Sequence, residues 1–153
     1  MSITSEFVAA VQKHFKGLTL LLDGEIVAVC ANAYSDDLAF FLVEYDSPHF
    51  SEAFSVSLWP MDRHGRAVGD GHWFLKGKAV AVPPEVYEAE RFDSIDPWSV
   101  ASELLEEWLI ERWQTNEHHP APAFVGHHDS YFKRNMRTGK QITWDEILAS
   151  VSK

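Results

Sequence analysis

The start of a long helix is marked clearly at residues 96–97 of the sequence. Asp96 can accept a hydrogen bond from the free backbone N–H groups of a first turn, and Pro97 takes the first helical position, where a missing N–H costs nothing. Apolar residues then recur at helical spacing: Ala101, Leu104, Leu105, Trp108 and Leu109. Residues 98–115 therefore predict a long helix that packs one face on the rest of a folded domain.

Strand patterns fill much of the chain ahead of this helix. Phe54, Val56 and Leu58 alternate with other residues at a period of two, which is typical of a half-buried strand. Asp23-Gly24 is a dipeptide typical of a tight hairpin turn. The predicted strands span residues 18–22, 25–31, 38–45, 54–58, 72–75 and 79–82.

A helix is predicted at each end of the chain. Near the N-terminus, apolar residues from Phe7 to Phe15 recur at three- and four-residue spacing, and Gly17 stands where a helix commonly ends. Near the C-terminus, Thr143 and Glu146 have the spacing of a capping box, which marks the first turn of a last helix.

These elements favour the α+β class. Grouped strands with short connections pair antiparallel, so we predict an antiparallel sheet of about five or six strands, with N-terminal, long central and C-terminal helices packed on it. A helical turn is expected at residues 85–90, and residues 116–141 are expected to be irregular. A length of 153 residues suits a single compact domain over residues 1–153.

The composition narrows the range of partners. A formal net charge of -10 disfavours nucleic acid and anionic membranes, because both attract clustered Lys and Arg. The first residues lack the pattern of a secretory signal, and no apolar run approaches the roughly 20 residues that span a bilayer. The single cysteine, Cys30, lies in an apolar run and is expected to be buried. We therefore expect a cytoplasmic protein that uses no cofactor and binds neither nucleic acid nor membrane.

The acidic excess is concentrated in the predicted central helix and its lead-in. Residues 85–117 hold ten acidic and two basic side chains. On a helical projection the carboxylates of this helix point away from its apolar face, with an isoleucine among them. We predict a docking surface for a basic protein with that isoleucine at its centre, while a solvated face with one exposed Ile is the alternative. The predicted partner-binding residues are Glu103, Glu106, Glu107, Ile110 and Glu111.

A His-rich stretch is the second candidate site. Residues 118–129 contain four His and an Asp, and imidazole and carboxylate groups are ligands of zinc and iron. Adjacent His residues usually point in different directions, and none of these pairs has the i, i+4 spacing of HExxH. A solvated loop that titrates near neutral pH is the simpler interpretation. The candidate metal ligands are His119, His127, His128 and Asp129.

The α+β layout and the acidic helix from Asp96-Pro97-Trp98 to Glu111 resemble the immunity proteins that bacteria make against secreted polymorphic or contact-dependent toxins. The resemblance is to a general type, and no residue role is carried over from it. It implies a binding protein rather than an enzyme, one that neutralises a cognate toxin, often a basic nuclease, by covering its active site. The alternatives are a metal-dependent hydrolase that uses the His-rich stretch, and a homodimeric stress or assembly factor.

Overall fold

A mixed sheet lies between two apolar cores in the computed structural model, which describes residues 3–47, 53–77, 80–81 and 96–152. The helices are α1 (Ile3–Ala31), α2 (Pro97–Thr115) and α3 (Trp144–Val151), and a 3-10 turn spans Phe74–Gly77. The strands are β1 (Phe40–Asp46), β2 (Ala53–Met61), β3 (His72–Trp73), β4 (Val80–Ala81), β5 (Ala123–His127), β6 (Phe132–Asn135) and β7 (Gln141–Thr143). The predicted α+β class and the positions of its three helices are confirmed.

The N-terminal region is one long helix, so the hairpin predicted over residues 18–31 is wrong. α1 runs without a break for 29 residues and contains Asp23-Gly24. Its buried side chains keep helical spacing along the whole length: Phe7, Val11, Phe15, Leu22, Ile26 and Val29. A glycine inside a helix costs roughly 1 kcal/mol relative to alanine, and the burial of this continuous face outweighs that local preference.

Local signals at the starts of the other helices are confirmed. The Asp96 carboxylate accepts a hydrogen bond from the Ser99 N–H at 3.3 Å, and Pro97 begins α2. Thr143 and Glu146 form the predicted capping box at α3. The predicted strands at 38–45 and 54–58 correspond to β1 and β2, and those at 72–75 and 79–82 overlap β3 and β4. The helical turn predicted at 85–90 lies outside the described residues.

The strand order is β3-β2-β1-β5-β6-β7, with β4 also paired to β2. Pairing is mostly antiparallel, as predicted, but β1 and β5 are parallel, with Tyr45 opposite His127. The prediction that residues 116–141 are irregular is wrong, because they contain β5 and β6. Pro122 directly precedes β5 and Gly126 lies within it, and these two residue types obscure its strand pattern in the sequence.

α1 and α2 lie side by side on one face of the sheet. The Trp108 ring stacks on Phe15 with a centroid separation of 4.9 Å, and its Nε1–H donates to Thr19 at 3.1 Å. One turn further along both helices, Arg112 contacts Asp23. Because both contacts advance in the same direction, the two helices run parallel. Within the described residues, neither of them nor α3 combines the length and apolar character needed to cross a bilayer.

α3 covers the opposite face of the sheet. Ile147 packs there with residues from β1, β2 and β5, in a smaller core made of Phe40, Leu42, Met61, Phe124 and Ile147. The Trp144 ring meets Phe40 edge-on. Because α3 has only eight residues, it covers part of this face and leaves the region beside Glu44 to a cavity.

Candidate functional site

Acidic and imidazole side chains meet where β1 and β5 end. The two strands are parallel and in register, so Asp46 at the end of β1 lies close to His127 at the end of β5. His128 and Asp129 follow directly in the next turn. The carboxyl ends of parallel strands are a common location for binding sites in proteins with parallel strands. We refer to Asp46, His127, His128 and Asp129 as the Asp46 cluster.

One carboxylate oxygen of Asp46 lies close to both imidazoles of the cluster. Asp46 Oδ1 is 3.5 Å from His127 Nε2 and 3.3 Å from His128 Nδ1. The other ring nitrogen of His128, Nε2, is 3.1 Å from Asp129 Oδ1. One ligand atom from each of Asp46, His127 and His128 lies within 4.8 Å of the others. The cluster therefore offers two nitrogens and an oxygen to a metal ion, or forms a carboxylate–imidazole hydrogen-bond network without one.

Packing fixes the orientation of His127. Its ring meets Tyr45 and Trp98 edge-on, with centroid separations of 5.6 and 5.4 Å. The backbone N–H of Asp129 donates to His127 Nδ1 at 3.3 Å. The His128 ring is more exposed than that of His127, so it has more freedom to turn.

The structure gathers only part of the metal-ligand set predicted from the sequence. His127, His128 and Asp129 lie together, but the contacts of His119 are at the end of α2, where its Nε2 is 2.7 Å from the Trp113 carbonyl oxygen and its ring stacks on that indole. Asp46 was not predicted as a ligand, because the Ser47-Pro48 that follows it is typical of a turn. The signal that would have found it is the parallel pairing of β1 with β5, which places it beside His127.

A buried ion pair lies beside the cluster. Lys133 is only 4% exposed, and its ammonium donates to the His127 carbonyl oxygen at 2.8 Å and lies 3.9 Å from Glu44 Oε2. Burial raises the pKa of the Glu44 carboxyl and lowers the pKa of the Lys133 ammonium. The lysine stem crosses Gly126, where an added Cβ would lie 2.7 Å from Lys133 Cδ. A cavity of about 470 Å³ opens over this pair, and its lining includes Glu44, His128, Asp129, Tyr131, Lys133 and Trp144.

Only part of the acidic face predicted on α2 is exposed to solvent. Ile110 is 6% exposed, so its predicted role as an exposed apolar centre is wrong. Glu106 is half-buried: it accepts a hydrogen bond from the Tyr45 hydroxyl and lies 3.8 Å from Arg134, and burial raises its pKa. Glu106 lies beside Arg134 of β6, Gln114 of α2 donates to the Arg137 carbonyl oxygen in the turn after β6, and Ile110 belongs to the same buried core as Met136. These partners lie in a segment that was predicted to be irregular. The exposed glutamates are Glu103, Glu107 and Glu111.

The apolar side chains with the highest exposure lie instead on α1. Leu20 is 87% exposed, and Leu21 and Val27 are also more than half exposed. Leu20 and Val27, seven positions apart, share one side of α1, next to the side on which Thr19 contacts α2, while Leu21 points in another direction. A groove of about 380 Å³ marks the seam between the two helices, and its lining includes Gln12, Lys16, Thr19, Glu107 and Glu111. Sequence reasoning missed the exposed apolar residues of α1 because it assigned them to strands.

Comparison with known proteins identifies no relative of this chain. No family model, no curated protein and no solved structure matches the chain. The features that bear on function are therefore the Asp46 cluster and the surfaces of α1 and α2.

Proposed function

We propose that the chain is a binding protein that captures a basic protein partner through α1 and α2, in the way that bacterial immunity proteins capture toxins in the cytoplasm. The observation that carries this proposal is the position of two surfaces on the two helices that border one groove. The apolar strip, made of Leu20, Leu21 and Val27, lies on α1, and the acidic stripe, made of Glu103, Glu107 and Glu111, lies on α2; Thr19, Glu107 and Glu111 line the groove between the helices. An apolar centre with a charged border is the usual anatomy of a protein–protein interface.

The apolar strip supports a protein partner rather than a small ligand. Full burial of a leucine or valine side chain is worth roughly 1.5–3 kcal/mol, and these three side chains lie mostly in solvent. Scattered apolar residues are normal on a surface, but Leu20 and Val27, seven positions apart, share one face of α1, and exposed apolar patches are typical of interaction sites. The strip lies on a convex helix surface, which a second protein can cover more fully than a small molecule can.

The acidic stripe supports a basic partner. Its members are spaced four residues apart, and like charges at this spacing destabilise a helix by roughly 0.2–0.5 kcal/mol per pair. Of these three glutamates, only Glu111 has a Lys or Arg side chain of the described residues within 4.0 Å, and that side chain, Arg112, also pairs with Asp23. Lys or Arg side chains of a partner would relieve this repulsion and would speed the encounter by electrostatic steering.

The experiment uses the purified product of the reading frame adjacent to this one as the probe. Association and dissociation rates are measured with the wild type and with the triple variant Glu103→Lys, Glu107→Lys, Glu111→Lys. A matched control, Asp36→Lys, Asp37→Lys, Asp70→Lys, changes the net charge equally at exposed positions elsewhere. We expect the stripe variant to associate about tenfold more slowly than the control variant, because steering depends on charges near the interface.

A second variant tests the apolar strip. Leu20→Ser with Val27→Ser should increase the dissociation rate about tenfold and leave the association rate nearly unchanged, since apolar contacts form after the encounter. Absence of a complex between the two proteins, or equal weakening in both charge variants, would contradict the proposal. So would a wild-type homodimer in light scattering that the Leu20→Ser, Val27→Ser variant dissociates, because a second copy would then occupy the strip. Circular dichroism of each variant confirms that it is folded.

The hydrolase alternative requires a metal ion at the Asp46 cluster. The specific observation in its favour is the convergence of two imidazoles on one carboxylate oxygen, next to a cavity of about 470 Å³. Zinc held there would activate water for hydrolysis. Hydrolytic activity that depends on Asp46 and survives charge reversal of the acidic stripe would favour this alternative.

A further inference from the structure

We infer that the Asp46 cluster is a zinc site, in which Asp46, His127 and His128 are the ligands and Asp129 orients His128. This inference is independent of the proposed binding function, since the cluster and the acidic stripe involve different residues. It also revises the ligand set predicted from the sequence: Asp46 is added, Asp129 becomes an orienting group and His119 is excluded.

The distances within the cluster suit a metal ion better than direct hydrogen bonds. Good N–H···O hydrogen bonds measure about 2.7–3.2 Å between heavy atoms. The distances from Asp46 Oδ1 to His127 Nε2 and His128 Nδ1 are 3.5 and 3.3 Å. Zinc–nitrogen and zinc–oxygen bonds of about 2.0–2.2 Å place neighbouring ligand atoms of a tetrahedral site roughly 3.3–3.5 Å apart. Both Asp46 distances therefore match two edges of a tetrahedral site.

His128 has the second partner that metal-bound histidines usually have. Its Nε2 lies 3.1 Å from the Asp129 carboxylate, which favours a proton on that nitrogen. The lone pair is then left on Nδ1, which faces Asp46. A carboxylate that holds the far side of a histidine in this way fixes its tautomer and raises its basicity as a ligand.

His127 supplies the second imidazole from a fixed position between Tyr45 and Trp98. One contact opposes metal binding: the Asp129 N–H donates to His127 Nδ1, which favours a proton on Nε2. Binding of zinc at Nε2 requires that proton to move to Nδ1 and this hydrogen bond to break. The bond is long, at 3.3 Å, so its loss costs little compared with a zinc–nitrogen bond.

The donor set selects the class of ion. Two neutral imidazoles with one carboxylate suit Zn²⁺ and similar transition-metal ions, whereas Ca²⁺ prefers six to eight oxygens and Mg²⁺ an octahedron of oxygens. The second carboxylate, Asp129, further balances the charge of a dication. Three protein ligands leave one tetrahedral position open, and His128 and Asp129 also line the cavity beside the cluster. A water molecule or a substrate oxygen would take that position.

The test measures zinc binding by protein without a histidine tag, freed of metal by a chelator. Isothermal titration calorimetry with Zn²⁺ should give one site per chain, while Mg²⁺ and Ca²⁺ should give none. Asp46→Ala and His128→Ala should each weaken zinc binding at least tenfold, and Asp129→Asn should weaken it about tenfold, as loss of an orienting partner does. His119→Ala, a histidine at the end of α2, is the matched control and should bind like the wild type.

Cobalt substitution gives a readout that needs no variant. Co²⁺ bound by the wild-type protein should show the strong visible absorption of tetrahedral nitrogen and oxygen coordination. A spectrum like that of aqueous Co²⁺, absence of zinc uptake, or equal affinity in Asp46→Ala and wild type would overturn the inference. Because these outcomes do not involve a partner, failure of the zinc site is distinguishable from failure of the proposed binding function.

Discussion

Arg112 and Asp23 join α1 and α2 through a two-point ion pair. Arg112 Nε donates to Asp23 Oδ1 at 2.8 Å, and Nη2 donates to Oδ2 at 2.9 Å. The residues are 89 positions apart, and both are partly shielded from solvent by the helix seam. Hydrogen bonding to Asp23 raises the pKa of Arg112 further, so the guanidinium stays charged. This pair links the two helices that carry the proposed binding surface.

Loss of either partner should destabilise the fold. We expect Asp23→Ala and Arg112→Ala each to lower the free energy of unfolding by about 1–2 kcal/mol, because a two-point, partly shielded pair exceeds an ordinary surface ion pair. A double-mutant cycle in urea measures the coupling, which should be about 1 kcal/mol. The control is Glu111→Ala, since Glu111 contacts the same guanidinium at 3.4 Å but is exposed and should cost less than about 0.5 kcal/mol. A coupling near zero would contradict this account.

Replacement of Gly126 should disturb the buried ion pair beside the Asp46 cluster. A Cβ at this position would lie 2.7 Å from Lys133 Cδ and 3.0 Å from the Phe132 carbonyl oxygen. We expect Gly126→Ala to lower the free energy of unfolding by about 1–3 kcal/mol, the usual cost of overpacking in a close-packed region. Urea unfolding monitored by tryptophan fluorescence measures it. Unchanged stability would show that Lys133 can leave its position over β5 at little cost.

Replacement of Gly24 by alanine should stabilise the fold, in contrast to the same replacement at Gly126. Gly24 lies in the middle of α1, and an added Cβ would meet nothing within 4 Å. Gly24→Ala should therefore raise the free energy of unfolding by about 0.5–1 kcal/mol, because alanine loses less backbone entropy in a helix. This variant also tests the fold itself. If residues 18–31 formed the hairpin that Asp23-Gly24 suggests, alanine would destabilise the protein instead.

The parts of the fold that the sequence predicts correctly depend on interactions between near neighbours. The Asp96 cap and the Thr143–Glu146 capping box each act within four residues, and the alternation in β2 reflects the apolar residues on one face of a single strand. The α1 error has the opposite cause. Asp23-Gly24 is a strong local turn signal, but burial of a continuous helix face against α2 and the sheet overrides it.

The candidate sites were less predictable because they depend on contacts between residues that are far apart in the sequence. Asp46 meets His127 only because β1 and β5 pair in parallel, which no local pattern indicates. Ile110 is buried in a core that also contains Met136, a residue of the segment that was predicted to be irregular. A helical projection shows the direction of each side chain of α2. It does not show which faces of the helix are covered by other elements of the fold.

Glu106 should make stability depend on pH. Burial raises its pKa in the folded protein, so the fold favours the protonated carboxyl, and this contribution to stability is lost as pH rises from 4 toward 7. Glu106→Gln keeps a neutral group that can accept from the Tyr45 hydroxyl. We therefore expect the stability of this variant relative to wild type to increase from pH 4 to pH 7. The exposed neighbour Glu107 provides the control, since Glu107→Gln should show a much flatter difference in urea unfolding.

Cys30 should be inert to thiol reagents while the protein is folded. Its side chain is 2% exposed at the end of α1, and burial raises the pKa of the thiol from 9.0 to about 11. At pH 8 a disulfide reagent should therefore label Cys30 only through unfolding, at a rate that rises with urea in parallel with the unfolded fraction.

The raised pKa of Cys30 also means that the thiol form stabilises the fold below pH 9 and that this stability, about 2–3 kcal/mol, is lost as pH rises toward 11. Cys30→Ala should remove that part of the alkaline loss, and rapid labelling of the native wild type at pH 8 would refute the burial of this thiol.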